Sequence, residues 1–170
     1  LRTRRSQLIG FITDEVATAP YAGDIIRGAQ ERAWADERFL LVINVGADIG
    51  MAQAAVDTML ERQVEGIIYA AMFHRAVTLP DNIHKTITVL ANCYVTDRSL
   101  PSVVPDERSG GRIATQALLQ AGHQRVGLIN VNTLESKMPA ALGRFQGYQD
   151  ALAQAGIALD ERIVRHGDGS

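Results

Sequence analysis

Between Asp106 and Ile129 the chain spells, in order, a carboxylate, a glycine-containing helix start, an apolar stripe at helical spacing, a glycine stop and a fresh apolar strand. Ile113, Ala114, Ala117, Leu118 and Ala121 recur on one helical face, and Gly122 is placed to end that helix in the left-handed conformation. A short strand, Ser102-Val-Val104, precedes the stretch, and Arg125-Val-Gly-Leu-Ile-Asn130 closes it. Strand, helix and strand in so short a span leave a parallel pair with a helical crossover as the simplest fold. In such folds ligands sit beyond the carboxyl ends of the strands, where this segment puts Asp106.

The same alternation runs through the chain. Gln7-Leu-Ile-Gly-Phe-Ile-Thr13 is an apolar run without clean alternation, the mark of a strand buried on both faces. After a loop at 14–19, Pro20 suits a first helical turn, and Ile25, Ile26, Ala29 and Ala33 fall on one face while Arg27, Glu31 and Arg32 face water. Phe39–Asn44 predicts a second buried strand, Ala52, Ala55, Val56, Met59 and Leu60 a second helix, and Glu65–Ala70 a third strand. Residues 71–85 are less regular, with a short helix near Pro80; Thr86–Ala91 predicts a fourth strand. A helix over 141–155, with Phe145, Tyr148 and Leu152 inward, and a last strand at Ile163-Val164 end the pattern. The expected fold is α/β, a parallel sheet with helices on both faces. Its strand ends carry Asp14, Asn44, Ala70 to Met72, Asn92, Asp106 and Asn130, polar enough for a small-molecule site.

Composition narrows the function. With 170 residues there is room for an ordinary core, and a formal net charge of −2 gives no global attraction to nucleic acid or an anionic membrane. The basic run Arg2-Thr-Arg4-Arg5 reads as a solvated tail or as the end of a linker. No run approaches the ~18 apolar residues that span a bilayer, and the lone Cys93 forms no internal disulfide and favours a reducing compartment. Leu1 in place of Met, and an end at Gly167-Asp-Gly-Ser170 just after a strand, lead us to expect that both ends are cut.

Catalytic and cofactor signatures fail one by one. The first strand runs into Asp14-Glu-Val-Ala-Thr-Ala with no glycine-rich turn, which argues against a nucleotide site. Gly110-Gly111 lacks the full phosphate pattern and reads better as close helix packing. His74, His84, His123 and His166 share no metal-ligand spacing with each other or with Cys93. His123 reads as a polar residue at a helix stop, and Cys93 as a small core hydrophobe. Asp106 and Glu107 are adjacent and point apart, so they are no acid–base pair. No enzyme, metal or cofactor is expected. Asp106 and Arg144 stand out: each has a plain reading, as a helix cap and as a solvated charge. Together they offer an acceptor and a five-donor fork suited to a hydroxyl-rich or carboxylate ligand.

Several ordered segments resemble the effector-binding part of the lactose-repressor (LacI/GalR) family of bacterial transcription regulators. Leu1–Gly10 resembles the end of that family's DNA hinge entering its first core strand, and Pro20-Tyr21 with Ile26-Arg-Gly28 its first helix. Arg62-Gln-Val-Glu-Gly-Ile-Ile68, Val104-Pro-Asp106, Gly110-Gly111, Gly122-His123-x-Arg125 and Arg144-x-x-Gly147-Tyr148-x-x-Ala151-Leu152 come next, in order. The family's usual Asn-Pro-Phe-Phe after the first strand is here Ala19-Pro-Tyr-Ala22, which alters one wall of the pocket.

The resemblance implies a periplasmic-binding-protein-like (type I) fold with two lobes hinged around a sugar or related metabolite. Residues 1–6 would end the hinge linker, 7–123 form the N-terminal lobe, and 124–170 begin an incomplete C-terminal lobe. By position, Asp14, Tyr21, Asn44, Ala71, Asp106 and Arg144 would contact the effector. The implied partners are a small-molecule effector, a second copy through the N-terminal lobe, and operator DNA only through a DNA-binding head outside this chain; no membrane is implied. The implied location is cytoplasmic. Alternatives are a periplasmic sugar-binding protein of a transport system, which shares the fold, and an enzyme on a doubly wound sheet.

Overall fold

Strand β1 (Leu8–Thr13) is an interior strand of the first sheet, and its residues alternate between two helical layers. Phe11 packs beneath Ile25, Ile26 and Ala29 of helix α1 (Gly23–Ala35), while Ile12 faces the other way onto Ala52, Ala55, Val56 and Met59 of helix α2 (Ile49–Glu61). The computed structural model describes residues 6–14 and 23–167. The predicted helix start at Pro20, the candidate Tyr21 and the basic Arg2–Arg5 run lie outside them.

The sheet is parallel throughout, in the order β2-β1-β3-β4-β5, with β2 (Phe39–Asn44), β3 (Gly66–Ala76), β4 (Thr88–Tyr94) and β5 (Ser102–Val103). Parallel neighbours need crossovers, and α1 and α2 supply the first two. Asp48 opens α2 as its N-cap, its Oδ1 accepting from the N–H groups of Gly50 and Met51. The short helix expected near Pro80 is a 3₁₀ turn at Asp81–Lys85.

The sequence places the end of β3 at Ala70, but the strand continues to Ala76. Its pairing slips on the way: Ala70 lies opposite Ala91, and the next pair is Arg75 with Cys93. The surplus residues of β3 form a bulge, a local device that apolar patterning does not announce.

The chain divides into two compact units, Leu1–Val104 and Pro105–Ser170. The lobe boundary that the resemblance implies, 123/124, follows helix α3 (Glu107–Gln120), while the compact units divide before it and group α3 with the C-terminal segment. The reason lies in its packed face. Glu107 and Thr115 are its buried residues, and Gly111, on the same i+4 row, meets helix α4 (Pro139–Gln154) so closely that a Cβ would run into the Arg144 carbonyl oxygen. The stripe expected to be buried is not: Ile113 is 59% and Leu118 45% exposed. Gly143 and Gly147 complete the approach from α4, where a Cβ would collide with Glu107 Cβ and the Arg108 carbonyl oxygen.

Both helices end as glycine predicts. Gly122 (φ +90) and Gly156 (φ +70) take the left-handed conformation, and the N–H groups of His123 and Ile157 reach back to the carbonyls of Leu118 and Leu152. His123 thus serves the helix stop through its backbone, and its side chain is exposed. Strands β6 (Leu128–Asn130) and β7 (Val164–His166) pair in parallel as a separate two-stranded sheet. Val126, Tyr148, Leu152 and Val164 form this unit's core, and Tyr148 Oη donates to the Val126 carbonyl at 2.8 Å.

Candidate functional site

In the first unit the candidate residues gather at the carboxyl ends of β1, β2 and β3. Thr13 pairs with Asn44 across β1–β2 and with Ala70 across β1–β3, so Asp14 emerges between them. Asp14 is buried. Its Oδ1 accepts from the Met72 N–H at 2.9 Å and its Oδ2 from Arg75 Nη2 at 2.9 Å. Its carboxylate is therefore turned into the protein, holding the bulge and an arginine. Asn44 is exposed, and its Oδ1 accepts from the Gly46 N–H at 3.3 Å, closing the turn beyond β2. Gly46 sits at φ +58, where glycine is unstrained.

Ala71 is fully buried; at this end of β3 Phe73, Arg75 and Ala76 are exposed, and the bulge sets where Arg75 emerges. Asn92 locks the arrangement. It adopts φ +57, and its Nδ2 donates to the carbonyls of Ala71 and Met72 at 3.0 and 2.9 Å. Asn is among the few residues that tolerate this conformation. Beside Arg75 lies a cleft of about 430 Å³ bordered by Gly46, Asp48, Tyr69, Val77 and Thr78. Burial first, and then the charge of Asp14, raises the Tyr69 phenol above its ordinary value.

Cys93 is fully buried, and burial pushes its thiol up to about 11. It is a core residue with no thiolate to offer at neutral pH. Among the described residues no group of three or more His, Cys, Asp or Glu side chains is placed to hold a metal ion.

In the second unit Asp106 and Arg144 take separate partners. Asp106 is the N-cap of α3, its Oδ1 accepting from the Ser109 N–H at 3.0 Å. The backbone and side-chain hydrogen bonds of Ser109 hold its carboxyl below the usual range. Arg144 stands in the second turn of α4, and its Nε donates to Glu107 Oε2 at 2.8 Å. The guanidinium is 47% exposed and the Glu107 side chain 8%. Asp106 and Glu107 do point apart, one onto its own helix and the other onto α4. Asn130 is buried, its Nδ2 donating to the Ala141 carbonyl at 2.9 Å, and so it fastens α4 to β6 instead of lining a site.

Sequence reasoning missed Arg75 and Glu107. The first depends on a bulge with no sequence signature. The second could have been suspected from its i+4 relation to Gly111 on the packed face of α3.

Comparison with known proteins places this architecture. Residues 6–170 match the family model of periplasmic binding proteins and the sugar-binding domain of the LacI family. The sucrose operon repressor of Escherichia coli is 31% identical over 158 residues, covering 93% of this chain and 46% of that protein. The ribose operon repressor of Haemophilus influenzae is 26% identical over 171 residues, covering 96% of this chain and 48% of the relative. A crystal structure from Rhizobium etli, described as a LacI-family transcriptional regulator, superposes with a TM-score of 0.82 at 31% identity, over 95% of this chain and 56% of that one. The chain thus spans about half the length of these relatives. These relatives are transcription regulators, not enzymes, and among the described residues no helix is long and apolar enough to cross a membrane. On the match across residues 6–170, the chain belongs to the family of periplasmic binding proteins and LacI-type sugar-binding domains.

Proposed function

We propose that this chain is the effector-sensing part of a cytoplasmic bacterial transcription regulator, in which a sugar or related metabolite tunes affinity for operator DNA read by a separate head. The match over residues 6–170 carries this reading. We take the first unit as the N-terminal lobe and the second as the start of the C-terminal lobe. Asp14, Tyr21, Asn44, Ala71, Asp106 and Arg144 are the proposed effector residues. Asp14 acts by holding Arg75, and Arg144 by presenting donors that Glu107 aims.

Such a receptor works by differential affinity: the effector binds one arrangement of the lobes better than another, and the coupling free energy reaches the DNA. A periplasmic transport protein shares the fold, but the relatives named above are operon repressors and a LacI-type regulator. The names of two relatives make ribose and sucrose the first ligands to try. We expect one uncharged sugar to raise the Tm of the intact gene product through linkage. Asp106→Ala is expected to abolish that rise while far-UV circular dichroism stays unchanged. A sugar-dependent rise that survives Asp106→Ala would remove Asp106 from the site.

We further propose that two copies pair through the first unit. Edge strand β2 and helix α1 expose Phe39 (57%) and Trp34 (66%), whose rings meet edge to face at 5.5 Å. An apolar patch on a sheet edge calls for a cover. Trp34→Glu is expected to halve the mass measured by sedimentation equilibrium, and an unchanged mass would count against this surface.

A further inference from the structure

We infer that Arg75 is a specificity-determining residue for the effector and that the ligand group it reads is uncharged and rich in oxygen acceptors. The inference rests on the effector-binding reading above and sharpens its ligand class.

A chain of hydrogen bonds ends on this one side chain. Asn92, held at φ +57, ties down the carbonyls of Ala71 and Met72. The Met72 N–H then fixes Asp14, and Asp14 fixes Arg75. The acid is 7% exposed and the guanidinium 45%. A carboxylate withdrawn from water to face a half-exposed partner is a poor source of stability, because desolvation offsets most of the attraction. A strand bulge likewise gives up regular ladder pairing, and bulges recur beside sites where they re-aim a side chain. Together they place one guanidinium at the border of the 430 Å³ cleft. Only Nη2 is taken by Asp14, and the remaining N–H groups of Arg75 have no partner among the described residues. Arginine has donors and no acceptor, so the ligand must bring acceptor atoms to it.

The local charge selects among acceptors. Asp14 cancels the guanidinium at 2.9 Å, and Asp48 adds a carboxylate across the same cleft. Among the described residues, an incoming carboxylate or phosphate would meet the acids Asp14 and Asp48 beside the base Arg75. Hydroxyl, ring-ether and carbonyl oxygens meet no such repulsion, and the Thr78 side of the cleft is compatible with them.

The test is isothermal titration of the intact gene product with two sets of probes. The neutral set is D-ribose, D-glucose, D-galactose and sucrose; the anionic set is D-galacturonate, ribose phosphate and glucose phosphate. A neutral sugar is expected to bind, and Arg75→Met to weaken it about ten- to a hundredfold, the loss of a charge-assisted hydrogen bond. Arg75→Lys keeps the charge beside Asp14 and guards against a variant that fails to fold. It too is expected to lose the sugar, since one ammonium cannot serve carboxylate and ligand in the fork geometry. Wild-type affinity in both variants would overturn the inference, as would an anionic probe that binds more tightly than its neutral parent and depends on Arg75. If Asp106→Ala abolishes binding while both Arg75 variants retain it, the inference falls and the effector reading stands. If no probe of either set binds the wild type, both fall.

Discussion

Among the described residues two buried acids each hold a half-exposed arginine, and they are built in different ways. In the first unit Asp14 and Arg75 meet at 2.9 Å because β3 bulges between Ala70 and Arg75. In the second, Glu107 and Arg144 meet at 2.8 Å because three glycines let α3 and α4 approach until backbone touches backbone. The strand-built pair depends on hydrogen bonds from Asn92 and Met72. The helix-built pair depends on the absence of side chains. The same end state therefore has opposite weak points: polar deletion should damage the first, and added volume the second.

Gly147 is where that contrast should show most strongly. A Cβ there would be driven into the Arg108 carbonyl oxygen and the Arg112 N–H, neither of which can swing aside as a side chain can. Gly147→Ala is expected to destabilise by about 3 kcal/mol, at the upper end of overpacking. Gly110, one residue from the contact row, has open space around its Cβ position. Gly110→Ala should stabilise by about 0.5–1 kcal/mol, since it removes backbone entropy from a helix interior. Urea unfolding of the two variants checks both signs, and a neutral Gly147→Ala would mean that the helices can separate without loss.

Removing each acid comes next in size. Asp14→Ala leaves the partly buried Met72 N–H without its acceptor and frees Arg75, and we expect a loss of about 2 kcal/mol. Glu107→Ala releases an arginine that is 47% exposed and can rehydrate, so a smaller loss of about 1 kcal/mol is expected. Urea midpoints with equal slopes measure the difference, and the reverse order would show that the bulge does not depend on Asp14.

This contrast also explains how much could be read from the residues alone. Apolar runs and helical stripes identified β1, β2, α1 and α2, because a continuous apolar run and a period of 3.6 are properties of neighbouring residues, although β2, expected to be buried, is an edge strand that exposes Phe39 and Val42. Arg144 and Asp106 stood in recognisable spellings. Arg75 did not: its position depends on a register slip between β3 and β4, and register is a property of two strands, invisible in one. The apolar stripe of α3 misled for a related reason. Periodicity identifies an apolar face but not the partner that covers it, and the face that packs on α4 is defined by Glu107, Gly111 and Thr115, which are not apolar in the usual sense.

The smallest expected effect separates Asp106 from the two acids that hold arginines. Asp106 holds a helix instead, through the Ser109 N–H, and those hydrogen bonds lower its carboxyl in the folded state. A carboxyl lowered on folding contributes stability that is fully present above its unfolded value, near ~3.9, and is lost as pH falls through the folded value. Asp150, lowered by Arg108, and Asp160, lowered by Arg162, lose stability over the same acid range, so the wild-type curve alone cannot isolate the cap. Asp106→Asn keeps a capping oxygen but cannot ionise. The difference in Tm between wild type and this variant should therefore stay constant from pH 7 down to about pH 5 and shrink below it, while the Asp150 and Asp160 contributions cancel. Parallel curves across that range would mean that Asp106 caps α3 equally well with its proton on, and that its charge is held for something other than the helix.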